Sequence, residues 1–122
     1  MYVADSLVKT FAREALKHLG FLKEEYGFAE PEVRSGPARG TAVAVTYRRP
    51  GLAIEASLVS WYGGNDYVTT RLFTDIPDGP ARRTEIGHDT ARIGHEMRTA
   101  LEEQAQAVRA WARTLGRSTG DR

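Results

Sequence analysis

The segment LAIEASLV, residues 52–59, has the clearest alternation of apolar and other residues in this chain. Leu52, Ile54, Ala56 and Leu58 are apolar, and each is separated from the next by one residue of a second set that includes a glutamate and a serine. Strict alternation of this kind predicts a β-strand that buries one face and leaves the other to solvent. The other strands and the helices are predicted from the segments on either side of this strand.

The segments on both sides of this strand alternate in the same way. Residues 41–49 place Val43, Val45 and Tyr47 on one side, and residues 67–74 do the same with two apolar residues and a threonine. The connections are a Pro-Gly pair and the Gly-Gly-Asn-Asp run, which are turn sequences too short for a parallel crossover.

A short first strand is predicted at residues 32–35, ended by Gly36-Pro37. With the three longer segments it makes a four-stranded antiparallel meander. The polar residues 75–83, with two prolines and a glycine, are interpreted as a loop.

Amphipathic helices are predicted at both ends of the chain. Apolar residues recur at steps of three and four from about Ala4 to Tyr26, with an interruption at Gly20 and a stop at Gly27. A second helix is predicted to start between Thr84 and Asp89 and to run to Leu115, with Gly116 as its stop.

These elements predict an α+β domain with the order α-β-β-β-β-α. Both helices are expected on the apolar face of the sheet, because each must bury its apolar stripe and the sheet shows one such face. Residues 1–116 form one domain in this interpretation, and the polar residues 117–122 a frayed tail.

Composition restricts the classes of function. The chain has no cysteine, which excludes disulfides, thiolate metal sites and cysteine nucleophiles and favours a cytoplasmic location. No apolar run approaches the roughly 20 residues that span a bilayer, so no membrane association is expected. Seventeen Lys and Arg against sixteen Asp and Glu give a formal charge of +1, less basic than a dedicated nucleic-acid binder.

A metal site at His88 and His95 is one hypothesis for the last helix. The two histidines are seven residues apart, with three carboxylates nearby, but zinc-binding pairs on a helix are three or four residues apart so that one ion reaches both rings. Two exposed histidines on a helix surface are the preferred interpretation. No cofactor is expected, because the sequence contains no phosphate-binding loop, nucleophile elbow or catalytic triad.

Nucleic-acid binding is a second hypothesis. Arg48-Arg49 and Arg82-Arg83 are basic doublets. Four aromatic residues are expected on or near the sheet, where their rings can stack on bases: Tyr47, Trp61, Tyr62 and Tyr67. The matching number of acidic residues argues against it. The same residue types are the usual anchors of protein interfaces.

The second face of the sheet is therefore the predicted binding surface. Glu55 alternates with apolar residues and is expected to form a cross-strand ion pair with Arg48 or Arg71, or else to form the polar centre of that surface. Surplus aromatic and arginine side chains on one sheet face mark a partner or dimer surface. The predicted surface consists of Tyr47, Glu55, Trp61, Tyr67, Arg71 and Phe73.

Residues 16–58 resemble a group of small uncharacterised bacterial proteins. The similarity is carried by FLKEEYGF at residues 21–28, VTYR at 45–48 and LAIEASL at 52–58, which are a helix end with its cap and two alternating strands. Some proteins of this size and layout resemble the immunity proteins of bacterial toxin systems. The resemblance implies no catalytic residues.

The sequence thus predicts a small, non-catalytic, cytoplasmic protein-interaction module, immunity-like in layout, that binds a protein partner or a second copy of itself. The alternative is a small-molecule binder or minor enzyme with a pocket between helices and sheet, which would contain His95 or Glu55.

Overall fold

A computed structural model describes five ranges of the chain, residues 5–38, 41–60, 66–74, 82–90 and 94–115. Helices α1 (Asp5–Leu19) and α2 (Phe21–Tyr26) precede the sheet, and helix α3 (Gly94–Ala112) follows it and ends in a 3₁₀ turn, Arg113–Leu115. The described helices lack the combined length and apolarity that a bilayer crossing requires.

The single N-terminal helix predicted from the sequence is interrupted where its glycine lies. Gly20 keeps right-handed helical angles, φ −58° and ψ −24°, so α2 follows α1 with little change of backbone conformation. Gly27 ends α2 with a left-handed φ of 77°, and the Phe28 amide donates to the Leu22 carbonyl at 3.1 Å. The predicted C-cap is therefore confirmed.

The sheet has five strands, not four. In chain order they are β1 (Glu32–Ala38), β2 (Thr41–Arg49), β3 (Leu52–Ser60), β4 (Asp66–Thr74) and β5 (Arg82–Thr90). Every neighbouring pair is antiparallel, and the spatial order equals the chain order, which confirms the meander. Gly51, with φ 80°, makes the turn between β2 and β3 with Pro50 before it.

The fifth strand corrects the prediction that a helix starts between Thr84 and Asp89. The register of β5 shifts opposite Thr70 and Arg71, so that Ile86 has no partner across the ladder and the alternation is broken. Its remaining side chains are mostly polar and exposed, because β5 is an edge strand. His88 consequently lies on a strand, and only His95 lies on α3.

The predicted first strand is also longer than expected. Strand β1 continues past Gly36-Pro37 to Ala38, with a register irregularity between Ser35 and Ala38. Proline is tolerated here because β1 is the other edge of the sheet, where a missing amide donor breaks few ladder bonds.

The core lies between the helices and one face of the sheet, as predicted. Helix α1 packs on α3 and on β2, and α3 also packs on β4 and β5. Ile54 and Leu58 are completely buried, and they meet side chains of both long helices within one apolar cluster: Phe11, Ala15, Leu19, Met97, Leu101 and Val108. We call the face of the sheet that contacts this cluster the inner face, and the opposite one the outer face.

A polar network crosses the interior between α3 and the last two strands. The buried Gln104 side chain accepts a hydrogen bond from Thr70 Oγ1 at 2.6 Å and donates from Nε2 to the Val68 carbonyl and to Asp89 Oδ2, both at 2.9 Å. Gly87 makes room for it, since a Cβ at that position would lie 2.5 Å from Gln104 Cγ.

Candidate protein-interaction surface

The outer face is built by the residues that alternate with the core. Because the strands are in register, outward residues of neighbouring strands form rows that cross the sheet. Two of these rows organise the surface between β2 and β5: Thr46, Glu55, Arg71, Glu85; and Arg48, Ala53, Phe73, Arg83.

The first row is a line of alternating charge. Thr46 Oγ1 donates to Glu55 Oε2 at 3.4 Å, and Arg71 lies between Glu55 and Glu85 in the register. Within the described ranges no ion pair joins Arg71 to either glutamate. The predicted alignment of Glu55 with Arg71 is thus present, but without the ion pair. Arg48 pairs instead with Glu32 of β1, at 3.3 Å.

A stacked pair of rings lies beside this row. The rings of Tyr67 and His88 are 4.7 Å apart at their centroids and inclined by 18°. Thr69 Oγ1 lies 2.7 Å from His88 Nδ1, which fixes the imidazole over the strand pair. Thr69 itself is fully buried, so a substrate in solution does not reach its hydroxyl group as a nucleophile.

The middle of the outer face consists of small side chains. Ala44, Ala53 and Ser57 are each at most 8% exposed, whereas Glu55, Tyr67, Arg71 and Phe73 are partly exposed. Small residues flanked by aromatic and arginine side chains give a shallow surface with protruding contact groups. Interface anchors have these residue types and this kind of setting.

The prediction that Tyr47 belongs to the binding surface is wrong. Tyr47 shares its side of β2 with Val43 and Val45, is only 2% exposed and belongs to the core cluster. Burial, with a further contribution from the carboxylates of Glu30 and Glu24, raises the pKa of its phenol to about 12. Tyr47 is therefore not part of the outer face.

The remaining predicted residues divide into two groups. Glu55, Arg71 and Phe73 lie in adjacent outward positions of β3 and β4, and Tyr67 lies on the same face with Thr69 between it and Arg71. Trp61 lies outside the described residues.

A separate open cleft of about 330 Å³ lies where the end of β5 meets the first turns of α3. The described residues that line it include Asp89, His95 and Glu103. Glu55 lies on the opposite face of the sheet, so the two residues named for a pocket between helices and sheet are not brought together. Among the described residues no three His, Asp or Glu side chains are placed to bind a metal ion.

The structure also joins features that the sequence keeps apart. Arg48-Arg49 ends β2 and Arg82-Arg83 begins β5, and the register brings both doublets to the same end of the sheet. Their convergence depends on β5, which the sequence did not reveal. The contacts of Gln104 do not follow from the sequence either, although its position beside the apolar stripe of α3 is a usable signal.

Comparison of the chain with protein-family models, with curated proteins and with solved structures gives no match in any of the three.

Proposed function

We propose that this chain is a small, non-catalytic protein-interaction module that binds a protein partner, or a second copy of itself, through the outer face. The observation that carries the proposal is the grouping of Glu55, Arg71 and Phe73 in adjacent outward positions, with Tyr67 on the same face of β4, on the side of the sheet that no described helix covers. Arginine and aromatic side chains in such a group supply most of the binding energy at protein interfaces.

The charge pattern supports a protein partner rather than a polyanion. Arg71 lies between two glutamates, so this row of the outer face alternates in sign across β3, β4 and β5. Alternating charge fixes the orientation of a partner of complementary pattern, whereas a nucleic-acid backbone requires a continuous basic surface. A cytoplasmic location and an immunity-like role belong to the same proposal, supported by the lack of cysteine and by the resemblance over residues 16–58.

The alternative function, a small-molecule binder or minor enzyme, has its support in the cleft beside His95. The outer face is preferred, because His95 is exposed at the rim of an open cleft and not enclosed among convergent polar groups.

Affinity capture from the native cell extract tests the proposal. Tyr67→Ala and Arg71→Glu should each reduce retention of the specific partner by about 10-fold or more, because each removes an anchor of the outer face. Tyr67→Ala should melt within about 2 °C of the wild type, since its side chain does not belong to the apolar core. Arg71→Glu places a third carboxylate between Glu55 and Glu85 and should melt several degrees lower. Arg71→Gln, which removes the charge without adding a carboxylate, is therefore captured beside it and should also lose retention while melting within about 2 °C of the wild type. Analytical ultracentrifugation of the pure protein detects a second copy as partner.

Two control variants decide between the surfaces. Lys9→Glu changes charge on the exposed side of α1, and His95→Ala changes the cleft. Both should retain the partner. Loss of retention in His95→Ala, with Tyr67→Ala and Arg71→Glu unaffected, would overturn the proposal in favour of the cleft.

A further inference from the structure

A cavity of about 270 Å³ lies at the end of the sheet where β2 turns into β3. The described residues that line it include Arg48, Gly51, Ala53 and Phe73. In the register Arg48 is opposite Ala53, and Ala53 is opposite Phe73, so the three form part of one outward row.

The cavity exists because the middle residue of that row is small. Neighbouring strands are about 4.8 Å apart, which places the backbones of Arg48 and Phe73 roughly 10 Å from each other. Only the methyl group of Ala53 lies between them. We call this space the Arg48–Phe73 slot.

Arg48 and Arg49 line the slot, and two further arginines lie near it in the register. Arg83 of β5 is opposite Phe73, and Arg71 lies two residues before Phe73 on the same face of β4. In the part of the chain that the structure describes, neither Arg71 nor Arg83 has an ion pair. Arg48 has one with Glu32, but both side chains are more than half exposed, so that pair is weak and open to exchange.

Arg49 also lines the slot, but two contacts hold its guanidinium group in place. Arg49 donates from Nη1 to the Tyr26 carbonyl at 2.8 Å and lies 5.7 Å from the centre of the Phe28 ring. These contacts hold the Arg49 guanidinium group against the end of α2, and Arg48, Arg71 and Arg83 supply the guanidinium groups that can turn toward a ligand. Guanidinium groups bind carboxylates in a bidentate geometry, and their planes also stack on aromatic rings.

The surrounding residues restrict the ligand to a discrete anion. Glu55 and Glu85 flank Arg71 in the adjacent row, so a chain of phosphates that crosses the slot would meet carboxylates on either side. A single carboxylate beside an apolar group would contact the arginines and the Phe73 ring without that repulsion.

We propose that the Arg48–Phe73 slot binds an acidic side chain, aspartate or glutamate, from a segment of a partner protein that also carries an apolar or aromatic neighbour. The inference rests on the proposed function, because it names the chemistry by which the outer face recognises its partner.

Titration of the ¹⁵N-labelled protein with the blocked peptide acetyl-Gly-Glu-Phe-Glu-Gly-amide tests the slot without the native partner. Saturable shifts are expected at the amides of Ala53, Phe73 and Arg83, with a Kd in the range of about 1 mM. Arg83→Glu and Arg48→Glu should weaken binding by about 10-fold or more, and Lys9→Glu should leave it unchanged. If either glutamate variant loses its dispersed spectrum, Arg83→Gln and Arg48→Gln replace it in the same titration.

Further probes separate the sources of negative charge. The same peptide with lysine in place of both glutamates should not bind. Absence of saturable shifts up to about 10 mM peptide would overturn the proposal. So would tighter binding of inorganic phosphate, of a short oligothymidylate, or of an unblocked peptide whose only carboxylate is its C-terminus.

The peptide titration and the capture experiment test the slot and the proposed function separately. If the peptide binds but no cellular partner is retained and the pure protein sediments as a monomer, the slot stands and the proposed function is overturned. If Arg48→Glu and Arg83→Glu retain the partner as the wild type does, the outer face stands as the binding surface and the slot proposal is overturned.

Discussion

Gln104 shows at the residue scale how a polar side chain can hold an otherwise apolar interior together. Its amide satisfies Thr70, the Val68 carbonyl and Asp89 at once, and these groups belong to two neighbouring strands. A buried polar group of this kind contributes modestly when it is paired and is costly when its partner is lost. Glycine at position 87 is what allows the amide to approach the strands so closely.

Gln104→Ala should lower the free energy of unfolding by about 1–3 kcal/mol, because Thr70 and the Val68 carbonyl are left buried without their partner. Gln106→Ala is the matched control, since Gln106 lies two residues away on α3 and is exposed. It should change stability by less than about 0.5 kcal/mol. Urea denaturation of the three proteins measures the difference, and equal stability of both variants would mean that the network contributes nothing.

At the scale of elements, Arg49 ties the β2–β3 hairpin to the end of α2. Its guanidinium donates to the carbonyl of Tyr26, in the last turn of the helix, where carbonyl groups have no partner within the helix. The amide of Ala29 donates to the Arg48 carbonyl at 2.8 Å beside it. The chain leaving α2 is thereby held against β2 before it enters β1.

Arg49→Ala should cost about 1–2 kcal/mol of stability, because it removes a hydrogen bond from a charged donor and the contact with Phe28. Arg48→Ala is the neighbouring control and should cost less than about 1 kcal/mol, since its ion pair with Glu32 is exposed. Hydrogen exchange at the Phe28 and Ala29 amides should accelerate only in Arg49→Ala. Equal acceleration in both variants would contradict the assigned tie.

The elements also show what a sequence can and cannot predict here. Alternation predicted β2, β3 and β4 with the correct inward residues, because each of these strands buries one face against helices. Strand β5 escaped prediction because it is an edge with a bulge at Ile86, which breaks the two-residue period and leaves few apolar residues to mark it.

The candidate site was predictable to the same extent. Glu55, Tyr67, Arg71 and Phe73 follow from the phase of β3 and β4, whereas Tyr47 was assigned to the surface by residue type against the phase of its own strand. The partners of Gln104 are 15 to 36 residues distant along the chain, and only the three-dimensional register brings them together.

On the scale of the whole molecule, the buried Tyr47 phenol links stability to alkaline pH. Its pKa is about 12 in the folded state, above the value of about 10 expected when unfolded. A raised folded-state pKa means that the stabilisation is fully present below about pH 10 and is lost as the pH rises toward 12.

The wild type should therefore lose about 1 kcal/mol more stability than Tyr47→Phe between about pH 8 and about pH 11. Urea denaturation of both proteins at the two pH values measures this difference. Comparing the change with pH, rather than stability at one pH, removes the constant effect of deleting the hydroxyl group. Parallel pH profiles would show that the phenol ionises equally in the folded and unfolded chains.

The alternation along β3 and β4 has a consequence for how such a protein can change over generations. Even positions of β3 and β4 pack against the helices, and odd positions lie on the outer face. Substitutions at Glu55, Arg71 or Phe73 can therefore accumulate while Ile54 and Leu72 stay fixed. A lineage could exchange one binding specificity for another through a few point mutations and keep its folding intact throughout.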